Sequence, residues 1–214
     1  MGDEENIKKT DEIREELELL KKENEDLKLL YDTIVKHATT LENDLEKKLR
    51  EITVMSVTDS LTNIFNRRKF TDSLLLEVSN GLKNGTPLAL IIFDIDNFKQ
   101  INDKYGHDYG DFVLVTSVSI IKKVLLKNSI FARWGGDEFT ILLPGTNAAQ
   151  AVKIAEAARE ELHTHYLNIH REVSCSFGVT ELLGTDNVKS FIVRADNALY
   201  DAKNNGRNSV KCFT

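Results

Sequence analysis

Cysteine, proline and tryptophan are scarce in this 214-residue chain, which has two, two and one of them. Cys175 and Cys212 lack the close spacing of a metal-binding pair. So thin a supply fits a reducing compartment and excludes a disulfide scaffold. No stretch approaches the ~20 consecutive apolar residues that span a bilayer. The N-terminus is too polar for a signal peptide. An excess of positive charge is also missing: the net charge is −6. That balance argues against a broad nucleic-acid surface, although it is compatible with a local basic pocket for a nucleotide. Together these absences predict a soluble cytoplasmic protein with no nucleic-acid or membrane partner. The 41% hydrophobic content is enough for a packed core, and the length allows one good-sized domain plus an extension.

Helix breakers are absent from the first stretch. Before residue 55 there is no proline, and the only glycine is Gly2. Apolar residues recur there at spacings of four and three: Ile13, Leu17, Leu20, Leu27, Tyr31, Ile34, Ala38, Leu41 and Leu45. This is a heptad seam, with Leu17 at a and Leu20 at d, and Asn24 falls at a. A buried Asn at a favours a parallel dimer and fixes its register. The plainer alternative is an amphipathic helix lying on the globular domain. Near the end, Lys48 occupies a d position while Leu49 and Ile52 continue the stripe, which reads as a stutter. The predicted division is a coiled-coil dimerisation and signalling helix over 1–55 and a globular domain over 56–214.

Within the globular part, Thr62–Ser79 reads as a helix and Gly81–Pro87 as a loop. Leu88–Phe93 reads as a buried central strand. A polar turn from Asn102 to Gly110 leads into a helix over Phe112–Lys127. A hairpin follows, then a helix over Asn147–His163, a strand over Glu172–Thr180, a helix over Val188–Lys203 and a short strand over Val210–Phe213. This order predicts an α/β (α+β) domain around a mostly antiparallel sheet.

The chemistry concentrates in Arg133-Trp134-Gly135-Gly136-Asp137-Glu138-Phe139. Apolar runs flank it, so Gly135 and Gly136 form a hairpin tip. Glycine lets the backbone approach a ligand, and the adjacent acids are a natural seat for Mg2+. Taken alone, the motif reads equally well as a solvated turn. A second acidic cluster, Phe93-Asp94-Ile95-Asp96, ends the buried strand upstream. A carboxylate there is costly to bury unless paired or bound to metal. If this strand lies beside the hairpin, Asp94 meets Asp137 or Glu138. Asp96 is read as the N-cap of the following turn. Lys99, Lys203 and Arg207 are cations suited to phosphate oxygens, although a Lys and an Arg ending a helix also simply complement its dipole. Asn102 and Asp111 have the donor and acceptor groups to read a guanine edge. Read singly, they are a turn residue and a helix cap. His163, His165 and His170 read as a solvated surface, His107 as a turn residue and Cys175 as a buried strand residue.

In combination these positions resemble the diguanylate cyclase family, the GGDEF domains, over residues 56 to 214. The matching motifs are Asp59-Ser60-Leu61-Thr62 with Asn66-Arg67-Arg68, then Phe93 to Lys99, then Asn102 through Gly106-His107-Asp108 to Asp111. Gly135 to Phe139 is the signature, and Ser176 to Val179, Ala195 to Lys203 and Gly206-Arg207-Asn208 close the pattern. The resemblance implies an adenylyl-cyclase-like or polymerase-palm-like fold. It implies condensation of two GTP into cyclic di-3′,5′-GMP and two pyrophosphates by two facing copies. It assigns Mg2+, two per half-site with Mn2+ as an alternative ion, to Asp94, the Ile95 carbonyl and Asp137. It assigns phosphates to the Phe98 backbone, Lys99, Lys203 and Arg207, and guanine to Asn102 and Asp111. Asp137 is the leading candidate to help deprotonate the ribose 3′-OH, while Glu138 is either a metal ligand or orients its neighbours. The implied partners are GTP, a second copy through the coil, and an upstream sensor or partner protein. A GTP-binding module that signals by occupancy and an ATP-accepting cyclase are the alternative functions. One departure stands out. Where many members carry an Arg-x-x-Asp product site, this chain has Leu126-Lys127-Asn128-Ser129, so feedback through that site is predicted to be absent.

Overall fold

The computed structural model describes residues 2–168 and 173–213. His170 and Glu172 lie outside the described residues. Two compact units are present, Met1–Val54 and Met55–Thr214.

The described residues of the first unit are helical throughout and belong to α1 (Gly2–Val57), an uninterrupted helix. Without proline or internal glycine, nothing in the segment breaks the backbone ladder. In the single chain the seam residues face solvent: Leu17 is 50% exposed, Leu20 58%, Leu27 69% and Leu45 59%. The side chains at the predicted stutter beyond Lys48 lie outside the described residues.

The second unit is built on a six-stranded sheet in the order β1-β3-β4-β2-β5-β6. In chain order its elements are β1 (Phe65–Asn66), α2 (Arg67–Asn84), β2 (Leu88–Ile95), α3 (Phe98–Tyr105), α4 (His107–Val124), β3 (Ile130–Gly135) and β4 (Glu138–Pro144). Then come α5 (Ala148–Asn168), β5 (Cys175–Glu181), α6 (Val188–Asn204) and β6 (Val210–Phe213). The central strand β2 runs antiparallel to β4 on one side and to β5 on the other, and β3 is antiparallel to β4. The outer pairs, β1 with β3 and β5 with β6, are parallel. This is the expected mixed, mostly antiparallel sheet flanked by helices.

Strand alternation sorts the core into two layers. Ala89, Ile91, Phe93 and Ile95 share one cluster with residues of α4 and α5. Phe93 stacks there on Phe139 at 5.0 Å and on Phe177 at 4.9 Å. Leu88, Leu90 and Ile92 face the other way and pack with Phe70 and Leu74 of α2 and Phe191 and Ala195 of α6. Gly178 of β5 permits that second layer: a Cβ there would stand 2.2 Å from the Ala195 carbonyl oxygen and 2.3 Å from the Leu199 nitrogen. By the same alternation Asp94 belongs to the α2/α6 face.

Several local readings are corrected. The helix expected over Thr62–Ser79 begins at Arg67 and runs to Asn84. Asp59 holds the preceding residues in a turn, accepting from the Thr62 amide at 2.8 Å and hydroxyl at 2.6 Å. Phe65 and Asn66 then pair with Ala132 and Arg133, and the Asn66 side chain caps the helix through the Lys69 amide. Gly81, expected in a loop, is a buried residue of α2. The polar turn expected from Asn102 to Gly110 is instead helical on both sides of Gly106, whose φ of 87° and ψ of 163° separate α3 from α4. Polar residues misled there because both helices expose one side. Helix α5 also extends to Asn168, beyond the expected end at His163, and β5 starts at Cys175.

Candidate active site

The register of β2 against β4 places Asp94 opposite Glu138, and the Ile95 amide donates to the Asp137 carbonyl at 3.4 Å. The end of the buried strand and the hairpin tip therefore meet. Gly136 makes the tip possible, because its φ of 55° is left-handed backbone that a side chain strains. Gly135 ends β3 in the open, with a register shift just before it. Arg133 braces the tip from behind. Its Nε donates to the Gly136 carbonyl at 2.8 Å, and its guanidinium pairs with Asp59 at 3.2 Å. Burial opposes the Asp59 charge, but the Thr62 hydrogen bonds and Arg133 hold its carboxyl below the usual range. The sequence reading gave Arg133 no role. An arginine ahead of a glycine pair, with an acid 74 positions earlier, offers no local clue to the pairing.

Asp94 is 7% exposed and meets Lys203 of α6, whose Nζ lies 2.9 Å from Oδ2. Burial pushes the Asp94 carboxyl up to about 6; the negative charges of Asp137 and Glu138 add to the rise, and Lys203 opposes it. The site is thus a carboxylate held in a poor environment for its charge, with two further acids facing it and one cation compensating. Asp94 thus lies opposite Glu138 on the neighbouring strand, feels the charge of Asp137, and is paired with Lys203.

Asp96 does not cap a helix. Asn97, in left-handed conformation, occupies the N-cap of α3 without a side-chain cap bond. Asp96 is instead 5% exposed and accepts from the hydroxyls of Ser174 at 2.7 Å and Ser176 at 2.6 Å and from the Asn208 amide at 3.1 Å. A buried carboxylate is tolerated when its oxygens are satisfied in this way. The bond to Asn208 ties the loop after α6, which carries exposed Arg207, to the end of β2.

Phe98 and Lys99 form the first turn of α3, where unpaired amides and the helix dipole favour an anion. Phe98 packs on the core and Lys99 is exposed. Asn102, one turn on, is pressed against α4: a Cβ on Gly110 would lie 1.9 Å from its Oδ1. That oxygen is buried and has no hydrogen-bond partner among the described residues. Asp111 follows on α4 and is exposed. Asn102 and Asp111 therefore share one corner between α3 and α4, while Lys203 stands with Asp94 on the α2/α6 face. His107 is exposed at the start of α4, and Cys175 is buried, with its thiol pushed up by burial.

The oxygen donors suit a hard divalent cation, since Mg2+ takes one or two carboxylates and completes its shell with water and phosphate. Among the described residues no group of three or more His, Cys, Asp or Glu side chains is already gathered around one point. No helix among these residues is long and apolar enough to cross a membrane.

The chain was compared with known proteins. The family model described as "Diguanylate cyclase, GGDEF domain" matches residues 56–209. The probable diguanylate cyclase DgcT of Escherichia coli is 40% identical over 159 residues, which cover 71% of this chain and 34% of that protein. The chain spans between 24% and 54% of the length of the first curated relatives it matches. Among solved structures, the coiled coil and GGDEF domain of DgcB from Caulobacter crescentus, in complex with c-di-GMP, aligns with a TM-score of 0.79 at 31% identity. That alignment covers 85% of this chain and 98% of the other. The diguanylate cyclase SiaD from Pseudomonas aeruginosa, in complex with its activator SiaC, aligns with a TM-score of 0.69 at 32% identity, covering 94% of this chain and 77% of the other.

Proposed function

Because the chain belongs to the GGDEF family, we propose that it is a diguanylate cyclase, condensing two GTP into cyclic di-3′,5′-GMP and two pyrophosphates. The observation that carries this reading is the meeting of buried Asp94 with Asp137, Glu138 and Lys203 at the tip of the signature hairpin.

In each half-reaction the 3′-oxygen of one ribose bonds to the α-phosphorus of the other GTP. The bond from that phosphorus to the bridging oxygen breaks, and pyrophosphate leaves. The 3′-OH proton passes to a nearby base, for which Asp137 is the candidate. Asp94, the Ile95 carbonyl and Asp137 would hold Mg2+, two ions per half-site, or Mn2+. A bound divalent ion supplies charge compensation for the phosphates and lowers the pKa of the attacking hydroxyl. The α3 amides at Phe98, with Lys99, Lys203 and Arg207, hold phosphate oxygens. Lys203 already stands at a carboxylate in need of positive charge, so its ammonium lies within reach of the same centre. Asp111 accepts from guanine N1–H and N2–H, and Asn102 serves the O6 and N7 side. Gly110, having no Cβ, leaves the room that the Asn102 amide occupies.

Each chain holds one GTP, so two copies must face each other about a near two-fold axis. The exposed seam of α1 supplies a parallel coiled coil, which raises the effective concentration of the second half-site and controls activity. A sensor or activating protein acting through this helix is the expected input. The Leu126–Ser129 segment closes in a tight turn, with the Ser129 amide donating to the Leu126 carbonyl at 3.0 Å. It has neither the guanidinium nor the acid of a product site, so product feedback through it is absent. Inhibition that saturates with added cyclic di-GMP and does not compete with GTP would overturn this point.

Incubation of the full chain with GTP and Mg2+, with products identified by mass, tests the main reading. Cyclic di-GMP is expected from the native chain and not from Asp137→Ala. GTP binding by a dimer that forms no product would replace the cyclase with an occupancy-sensing module.

A further inference from the structure

We propose that Arg159 of α5 is a positioning residue for the phosphates of the substrate: through Asn208 it fixes the loop after α6 that presents Arg207, a role that rests on the cyclase reading in which Arg207 holds phosphate oxygens.

The backbone of that loop is unusual. Gly206, Arg207 and Asn208 follow one another at φ of 101°, 60° and 41°. Glycine takes such values freely and asparagine tolerates them, but arginine is strained by them. Residues other than glycine visit this region singly rather than in runs. A run of this kind persists only where the surrounding structure over-determines it.

The anchors that hold it can be named. The Arg207 amide donates to the Ala202 carbonyl at 3.1 Å, and the Ser209 carbonyl accepts from the Phe177 amide at 2.9 Å. The Asn208 amide donates to Asp96 at 3.1 Å. These three contacts hold backbone. The Asn208 side chain is held by Arg159, whose Nη1 donates to Oδ1 at 3.2 Å. A left-handed asparagine commonly turns its side chain on nearby backbone; here the amide oxygen is taken by a cation from another helix.

Arg159 is aimed by its neighbours on α5. Its Nε donates to Glu156 at 2.8 Å, and its Nη2 lies 3.5 Å from Glu160. The Arg159 side chain is 19% exposed and the two acids 42% and 72%. Ion pairs so open to water add little stability. They do fix the plane of the guanidinium, and with it the direction of the donor left for Asn208. Helix α5 is itself rooted in the core through Ala151, Ala155, Ala158 and Leu162. A packed helix therefore reaches across to the residue next to Arg207. Losing that reach frees the strained run to relax and carries Arg207 with it. Asn102 and Asp111 belong to α3 and α4, so the corner expected to read the base is left alone.

Equilibrium dialysis of the full chain with Mg2+ tests this. The ligands are 3′-deoxy-GTP, which lacks the attacking hydroxyl and is not condensed, and guanosine, which lacks phosphate. Arg207→Ala sets the scale and is expected to weaken 3′-deoxy-GTP about tenfold. Arg159→Ala is expected to weaken it about fivefold and to leave guanosine unchanged. Asn208→Gly accepts the left-handed backbone and keeps the amide for Asp96 but loses the acceptor, so it should match Arg159→Ala. Adding Arg159→Ala to either Asn208→Gly or Arg207→Ala should cost nothing further, since all three act through one loop. Where Arg159→Ala fails to fold, as read from its urea midpoint, Asn208→Gly decides. Guanosine weakened in parallel, additive losses in the double variants, or full 3′-deoxy-GTP affinity in folded Arg159→Ala beside a weakened Arg207→Ala would overturn the proposal alone. Full affinity in Arg207→Ala would overturn the phosphate assignment and the proposal together. A native chain that does not bind 3′-deoxy-GTP would overturn the cyclase reading on which both stand.

Discussion

Replacing Asp94 with Asn should stabilise the globular unit at neutral pH while abolishing the proposed activity. The Asp94 carboxyl is raised from 3.8 to about 6 by burial and then by Asp137 and Glu138, against the opposing effect of Lys203. A raised carboxyl pKa means that the folded chain binds this proton more tightly than the unfolded chain does. Between pH 3.8 and about 6 stability therefore falls as pH rises, because ionising Asp94 costs more in the fold than out of it. At about 1.4 kcal/mol per pH unit the gap sets an upper limit near 3 kcal/mol. Solvent reaches the exposed side of the carboxyl, so about 2 kcal/mol is the expected gain. Urea unfolding followed by Trp134 emission, in buffer with a metal chelator, measures it. The variant should exceed the native chain by about 2 kcal/mol at pH 7.5 and converge with it as the pH approaches 4. Adding Mg2+ should then raise the midpoint of the native chain and leave the variant unmoved. A variant less stable than the native chain at pH 7.5, or a difference that does not change with pH, would refute the reasoning.

Other substitutions probe the supports of the site. Asp96→Ala should cost about 3 kcal/mol by urea unfolding, since it orphans the buried Ser176 hydroxyl, the half-buried Ser174 hydroxyl and the Asn208 amide while relieving one buried charge. Gly178→Ala drives a Cβ to 2.2 Å from the Ala195 carbonyl oxygen, which displaces α6; a loss above about 4 kcal/mol, or recovery only as aggregate, is expected. Gly110→Ala strikes the Asn102 amide at 1.9 Å and should raise the KM for GTP about tenfold with little change in kcat, if Asn102 reads the base. Unchanged KM in a folded Gly110→Ala protein would remove Asn102 from that role.

Elements whose signal is local and periodic were legible from the residues alone. The unbroken apolar run at Leu88 announced β2, although the strand continues to Ile95. The expected boundaries of α6 and β6 lie within one residue of those observed. The hairpin was legible because two glycines between apolar runs leave few other conformations. What stayed hidden depends on distant partners. Two residues, Phe65 and Asn66, carry no strand pattern of their own and become β1 only by lying along Ala132 and Arg133. The brace from Arg133 to Asp59 closes only when that strand is in place.

Asp96 shows most clearly why the remainder was not legible. An acid just past a strand and just before a helix has the local form of an N-cap, and local form is all that spacing conveys. Its actual partners, Ser174, Ser176 and Asn208, lie 78, 80 and 112 residues away. The physical reason they prevail is burial. A carboxylate at 5% exposure cannot be satisfied by the amides of one helix end that also faces solvent, and β5 brings two hydroxyls to it as a by-product of pairing with β2. The consequence reaches the site. Asp94 and Asp96 leave the same strand end with opposite fates, one fully hydrogen-bonded by protein and the other left with like charges and a single lysine. A fold that satisfies Asp96 and leaves Asp94 in deficit has placed its unmet demand for positive charge at one point. That point faces Asp137 and Glu138, where a metal ion and phosphates are expected to bind.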